Sequence, residues 1–258
     1  MSVQTISRRP VGDSLTMIGR CLRLSSRNFD ALLPVLLLPV MLMALFVYVF
    51  GGAIDTGAKY VNYVVPGIIL LCAGFCSATT AVSVCADMVG GIMDRFQSLP
   101  ITSSAVLTGH VVASMARNLF SAALVVGTAL LMGFRPTAGP LQWLAAIGVL
   151  LLFVLAMSWL AVVLGLLAKS VEAASGFTFM VLFLPYVSSA FVPTATMPPW
   201  LRAVAENQPM TPVIETVRGL LTGTPIGDSA WHAVIWFGSI AILSFTLAAW
   251  LFQRRTRR

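Results

Sequence analysis

Residues 141–167 read LQWLAAIGVLLLFVLAMSWLAVVLGLL, 27 positions without one charged side chain. A helix rises about 1.5 Å per residue, so about 20 apolar residues cross the ~30 Å hydrocarbon core of a bilayer. Five further runs have this character: 31–50, 64–86, 109–133, 174–192 and 230–252. Helices must carry them, because lipid offers no partner to open backbone groups. A closed barrel would need polar residues in alternation, and these runs lack them. The predicted class is an all-α polytopic membrane protein with six transmembrane helices.

Composition agrees. Of 258 residues, 58% are hydrophobic and 10% charged, against ~45–50% and ~25% in soluble domains. Too few polar residues remain to cover a soluble surface, and the same numbers exclude disordered, collagenous, coiled-coil and disulfide-scaffold chains. The net charge of +7 is not spread over a folded face. Arg8, Arg9, Arg20, Arg23 and Arg27 lie at one end and Arg254, Arg255, Arg257 and Arg258 at the other. That distribution fits the anionic cytoplasmic membrane surface and excludes a nucleic-acid partner. Cys21, Cys72, Cys76 and Cys85 form no CxxC and have no neighbouring His, so they read as packing residues and the expected metal site is none. No cleavable signal pattern precedes the first apolar run, which is long enough to span.

Six spans put both ends on one side. With the ends inside, the inner segments hold the nine terminal arginines plus Arg95 and Lys169, and the outer ones hold Lys59, Arg135, Arg202 and Arg218. Eleven against four places both termini in the cytoplasm. The expected organisation is a cytoplasmic N-terminus over 1–29, a six-span domain over 30–252 and a basic tail over 253–258. Segments 134–140 and 168–173 are short enough for antiparallel hairpins, whereas 87–108 (inner) and 193–229 (outer) are long enough to be functional. Within 13–29, Leu15, Ile18, Leu22 and Phe29 share one helical face and Arg20, Arg23 and Arg27 the other. That pattern predicts an amphipathic helix in the membrane interface.

No enzyme constellation is present. His110 and His232 lack HExxH spacing, and no GxSxG elbow occurs. Asp87 and Asp94 fall in the inner loop, where paired carboxylates could hold a metal for lipid chemistry; loop solubility explains them equally well. GLLAKS at 165–170 approaches a phosphate-binding loop but has Ala168 where the second glycine belongs. Arg117 and Asn118 lie inside the third span. Arg117 either snorkels to the inner head groups or faces the interior as part of a polar pathway. Ala73, Ser77, Ala81 and Cys85 recur every four residues, a small-residue stripe for close helix packing.

The outer segment predicts two short helices that dip into the outer leaflet or cap the bundle. Pro198 and Pro199 start the first, with Trp200, Leu201 and Val204. Pro209 and Pro212 precede the second, with Val213, Ile214, Val217, Leu220 and Leu221 as its apolar face, Glu215 and Arg218 paired at i,i+3, and Gly223 as its stop. In the inner loop, Gly90 and Gly91 break the second span. A short helix follows with Ile92, Met93 and Phe96 apolar, until Pro100 redirects the chain. A short exposed helix carrying an aromatic suits docking into a partner's groove.

The runs YVFGGAI (48–54), YVVPGI (63–68), GIMDRFQSLPITSSAVLTGH (91–110) and NQPMTPVIETVRGLLTG (207–223) resemble the membrane permeases of type-2 ABC exporters, in particular the daunorubicin/doxorubicin-resistance permease family. The likeness extends over nearly the whole chain after about residue 12, and its most specific part is D-R-F-x-S-L-P. It implies a permease in the bacterial plasma membrane that dimerises, with itself or with a related chain, and pairs with two copies of a separate ATP-binding subunit. That subunit would hold ATP and Mg; this chain would hold no cofactor. Asp94, Arg95, Phe96, Leu99 and Pro100 match the family's coupling helix, and the helix bearing Arg20, Arg23 and Arg27 its elbow helix. The outer pair would be short re-entrant helices before the last span. The cargo implied is hydrophobic or amphipathic: drug, natural product or lipid. Drug export and antibiotic resistance are the implied role.

A gradient-driven transporter is the alternative, and an intramembrane enzyme using Asp87 and Asp94 a further one. Gradient-driven transporters bury ionisable groups near the midplane, whereas every acid here falls in a loop or at a span end.

Overall fold

The computed structural model describes residues 29–54, 59–90 and 103–256, and among these it is helical, without strands. Helix α1 (Phe29–Ala44) runs on through π-helical turns at Leu45–Phe50. It is followed by α2 (Tyr60–Val89), α3 (Ser103–Leu131), α4 (Pro140–Leu167) and α5 (Val171–Leu182). Short 3-10 turns at Leu184–Val187 and Thr194–Thr196 lead to α6 (Pro199–Asn207), α7 (Met210–Thr222) and α8 (Ser229–Thr256).

Four helices in the described residues are long and apolar enough to cross a membrane, within α2, α3, α4 and α8. The most enclosed is α2, which packs against α3, α4 and α5. The stripe of Ala73, Ser77, Ala81 and Cys85 is fully buried within the chain. A Cβ added at Gly165 of α4 would stand 2.5 Å from the Ala81 carbonyl oxygen, so these two helices touch backbone to backbone. Helix α8 lies on α4, with Phe153 and Phe237 edge to face at 4.9 Å. Its other faces expose Trp231, Ile242, Leu243 and Trp250, and Arg254 sits 4.6 Å over the Trp250 ring. An apolar exterior of this extent is a membrane surface.

Local signals account for the helix ends. Pro140 occupies the first turn of α4, and Gln142 Oε1 accepts the Gly139 N–H at 2.7 Å, one half of a capping box. Gly223 closes α7 in the left-handed region, at φ 76°. Gly90 ends α2.

Four boundaries differ from expectation. The fifth apolar run is not one helix: α5 begins at Val171 and stops at Leu182, because Pro185 lacks an N–H and its ring crowds the carbonyl one turn back. Of the segment predicted over 87–108, residues 87–89 belong to α2 and 103–108 to α3, so Asp87 is helical; residues 91–102 lie outside the described residues. Phe29 is already helical as part of α1, ahead of the expected start at 31, and residues 13–28 lie outside the described residues. Pro212 lies in the first turn of α7, where a missing N–H costs nothing. Arg20, Arg23 and Arg27, and Asp94, Arg95, Phe96, Leu99 and Pro100, lie outside the described residues.

Candidate functional site

Three polar assemblies interrupt the apolar bundle. The first crosses its middle. Arg117 Nη2 donates to Thr80 Oγ1 at 2.9 Å, so this arginine reaches towards α2. Its neighbour Asn118 is buried and donates from Nδ2 to the Ser114 carbonyl at 2.9 Å, with Ser114 Oγ at 3.3 Å and Ser77 Oγ at 3.4 Å. Ser158 of α4 donates to Ser114 Oγ at 2.8 Å. A seam of hydroxyls and amide thus joins α2, α3 and α4 at the depth where Asn118 is about 16 Å from Leu107, the first residue of α3's membrane-crossing stretch. In a low-dielectric interior such bonds fix one packing register, since a partner that slips leaves a buried polar atom unmet.

The second assembly locks the broken fifth run. Between Pro185 and Phe191 the chain is not α-helical, so its carbonyls need other donors. Tyr60 Oη donates to the Phe191 carbonyl at 3.0 Å and Tyr63 Oη to the Ser189 carbonyl at 2.9 Å. Gln208 Nε2 donates to the Val187 carbonyl at 2.7 Å. Arg218, 5% exposed, donates from Nε to the Tyr63 carbonyl at 3.2 Å and from Nη2 to the Ser189 carbonyl at 2.7 Å. Nη1 meets Glu215 Oε1 at 2.6 Å, and the guanidinium carbon lies 3.7 Å over the Tyr63 ring. Gly67 allows Ala190 to lie against α2, since a Cβ there would stand 2.6 Å from the Ala190 Cβ. Helix α7 is therefore not a surface helix: Val213, Ile214, Val217 and Leu221 are buried, and so is Arg218. By contrast, α6 is amphipathic and exposed, with Arg202 Nε on Glu206 Oε1 at 2.7 Å. That hydrogen bond holds the Glu206 carboxyl below its ordinary range.

The third assembly stands at the opposite end, beside the segment 90–102. His110 Nε2 lies 3.1 Å from Asp87 Oδ2, tying the last turn of α2 to the start of α3.

Of the residues singled out in the sequence, Glu215 and Arg218 are in contact, and Arg117 and Asn118 share the seam. The sequence reading missed Tyr63, Ser189, Ser114, Ser158 and the His110–Asp87 pair. Single serines in apolar helices carry no spacing signal; Ser77 alone belonged to a visible stripe. GLLAKS is a helix end, with Gly165 against Ala81 and Ala168 buried in extended backbone after α4. Among the described residues no group of three or more His, Cys, Asp or Glu could hold a metal ion.

Residues 14–222 match the family model described as ABC-2 type transporter. The chain is 32% identical over 217 residues to a daunorubicin resistance ABC transporter permease of Streptomyces coeruleorubidus, covering 83% of this chain and 76% of the relative. It is 22% identical over 242 residues to a probable doxorubicin resistance ABC transporter permease of Mycobacterium tuberculosis, covering 93% and 88%. A bundle of apolar helices, matched in this way along most of its length, belongs to the ABC-2 type transporter family and is a membrane permease subunit of an ABC transporter, not an enzyme.

Proposed function

We propose that this permease exports hydrophobic or amphipathic compounds outward, driven by ATP hydrolysis on two copies of a separate subunit that holds ATP and Mg. The cargo class follows the compounds in the relatives' names, daunorubicin and doxorubicin. The observation that carries this reading is the match to drug-resistance permeases over most of the chain. In our reading α1 and the broken α5 segment complete six crossings with the four long helices. Both termini then face the cytoplasm, by the distribution of arginines. The segment 91–100, with Asp94, Arg95, Phe96, Leu99 and Pro100, is the coupling helix that enters the ATP-binding subunit. The helix bearing Arg20, Arg23 and Arg27 lies in the inner interface. Helices α6 and α7 form the outer cap, and a second permease copy completes the pathway.

The test uses vesicles holding the full chain with its ATP-binding partner, in the orientation that exposes nucleotide sites. Doxorubicin should accumulate in the lumen only with both chains and ATP. Accumulation by the permease alone, without nucleotide, would establish the gradient-driven alternative.

A further inference from the structure

His110 Nε2 and Asp87 Oδ2 stand 3.1 Å apart, with 9% of the histidine side chain and 19% of the aspartate side chain exposed. An ionised carboxylate only accepts, so Nε2 carries the hydrogen. Such charge-assisted bonds are about twice as strong as neutral ones. Seven residues further along each helix a second rung joins α2 to α3: Arg117 Nη2 donates to Thr80 Oγ1 at 2.9 Å. A heptad closes two helical turns to within about 20°, so both rungs fall on one stripe of the contact, about 10.5 Å apart. A single attachment lets two rods pivot about it. Two attachments on one line hold them parallel.

The place of the first rung gives it a further consequence. Helix α2 ends at Val89, two residues past Asp87, and α3 begins at Ser103, seven residues before His110. The chain between these ends contains 91–100, the stretch read above as entering the ATP-binding subunit. A load on that stretch reaches the bundle through both helix ends at once. Ends free to part would splay, and the displacement would stop there. Ends held together pass it to their neighbours. Those neighbours are in place: Val84 of α2 and Leu107 of α3 share one buried cluster with Val162 and Leu166 of α4 and Phe252 of α8. Apolar contact of this kind is non-directional, so it carries a displacement without fixing how α2 stands against α3. A hydrogen bond of set length fixes that.

We propose that His110 and Asp87 are a positioning pair for energy coupling: their bond makes the ends of α2 and α3 follow the ATP-binding subunit as one body. The proposal rests on the export reading and on 91–100 as its coupling helix. In this role neither side chain touches cargo or nucleotide. A pair that only adds stability would alter unfolding and leave the transport obtained from each ATP unchanged; a positioning pair alters that ratio.

The test uses the full chain with its ATP-binding partner in vesicles. His110→Phe keeps a ring and loses the donor. His110→Gln returns an N–H close to the place of Nε2, and Asp87→Leu removes the acceptor. In His110→Phe the doxorubicin moved per ATP hydrolysed should fall about tenfold, the factor that one charge-assisted hydrogen bond supplies. ATP hydrolysis and assembly of the complex should persist. His110→Gln should stay near the native ratio, Asp87→Leu should match His110→Phe, and the double variant should lose no more than either single one. The second readout is the distance between spin labels at Val89 of α2 and Ala116 of α3, both exposed. In the native chain its distribution should be narrow and the same with and without MgATP. In His110→Phe it should be broader and longer in mean. A native transport ratio in His110→Phe, equal losses in His110→Phe and His110→Gln, or a native distribution that widens with MgATP would overturn the proposal. A native complex that moves no doxorubicin would defeat the export reading, and the label distances would still decide whether the pair holds α2 and α3 as one body.

Discussion

Arg218 of α7 and Ser189, 29 positions upstream, are joined by a 2.7 Å hydrogen bond from Nη2 to the Ser189 carbonyl. The same carbonyl accepts from Tyr63 Oη at 2.9 Å, so a single backbone oxygen ties α2, the broken fifth run and α7 together. Truncating Arg218 leaves this carbonyl and that of Tyr63 short of a donor and Glu215 without its cation. Arg218→Met should therefore cost about 3 kcal/mol, in the range for breaking a buried pair. Arg218→Lys keeps the charge but not the fork and should cost about half as much. Thermal unfolding in detergent reads both; a native midpoint in Arg218→Met would show that the lock contributes nothing.

That lock also marks the limit of what the sequence makes legible. The i,i+3 spacing of Glu215 and Arg218 exposes their pairing, and Pro199 and Gly223 mark a helix start and stop because their effects are local. Tyr63 stands 155 positions from Arg218, and no periodicity links them. The run 174–192 is apolar enough to pass for one span; only Pro185 hints at the break, and apolar helices elsewhere in this chain tolerate proline, as at Pro66 of α2. Asn118 and Arg117 stand out because polar residues inside a span are costly. The seam's other members Ser114 and Ser158 do not, because serine is ordinary in membrane helices.

Titration of Glu206 gives a check on α6. The Arg202 hydrogen bond lowers its pKa in the folded chain. A depressed carboxyl contributes stability above its unfolded value, about 4.3, and loses it as pH falls through the folded one. The midpoint difference between the native chain and Glu206→Gln should therefore be present at pH 7 and vanish towards pH 3. At this exposed site it should be small, a degree or so. A difference that persists at pH 3 would contradict the assignment of the shift to this carboxylate.

If the segment 91–100 docks into the ATP-binding subunit, an aromatic anchor there carries much of the binding energy. Phe96→Ala should weaken assembly about tenfold or more, the equivalent of ~1.4 kcal/mol. Leu99→Asp should do so further by burying a charge. Both variants should insert normally, as judged by protease protection of the membrane-embedded chain. Unchanged stimulation of ATPase activity in both would remove the coupling role from this segment.

Gly165 tests the closeness of α2 and α4. A Cβ there would lie 2.5 Å from the Ala81 carbonyl oxygen, closer than a Cβ can approach backbone, and a tight 3.0 Å from Val84 Cβ. Alanine is the better helix former by about 1 kcal/mol, so propensity alone would make Gly165→Ala stabilising. Packing argues the reverse. The two helices must separate along the buried Ala73, Ser77, Ala81 and Cys85 stripe, at a cost of about 1–3 kcal/mol. Gly148 sits on the same helix with no atom within 4 Å of an added Cβ, and Gly148→Ala should be neutral or slightly stabilising. The two substitutions share chemistry and helix, so their difference in unfolding midpoint isolates the crossing. Equal midpoints would mean that α2 and α4 do not pass backbone to backbone.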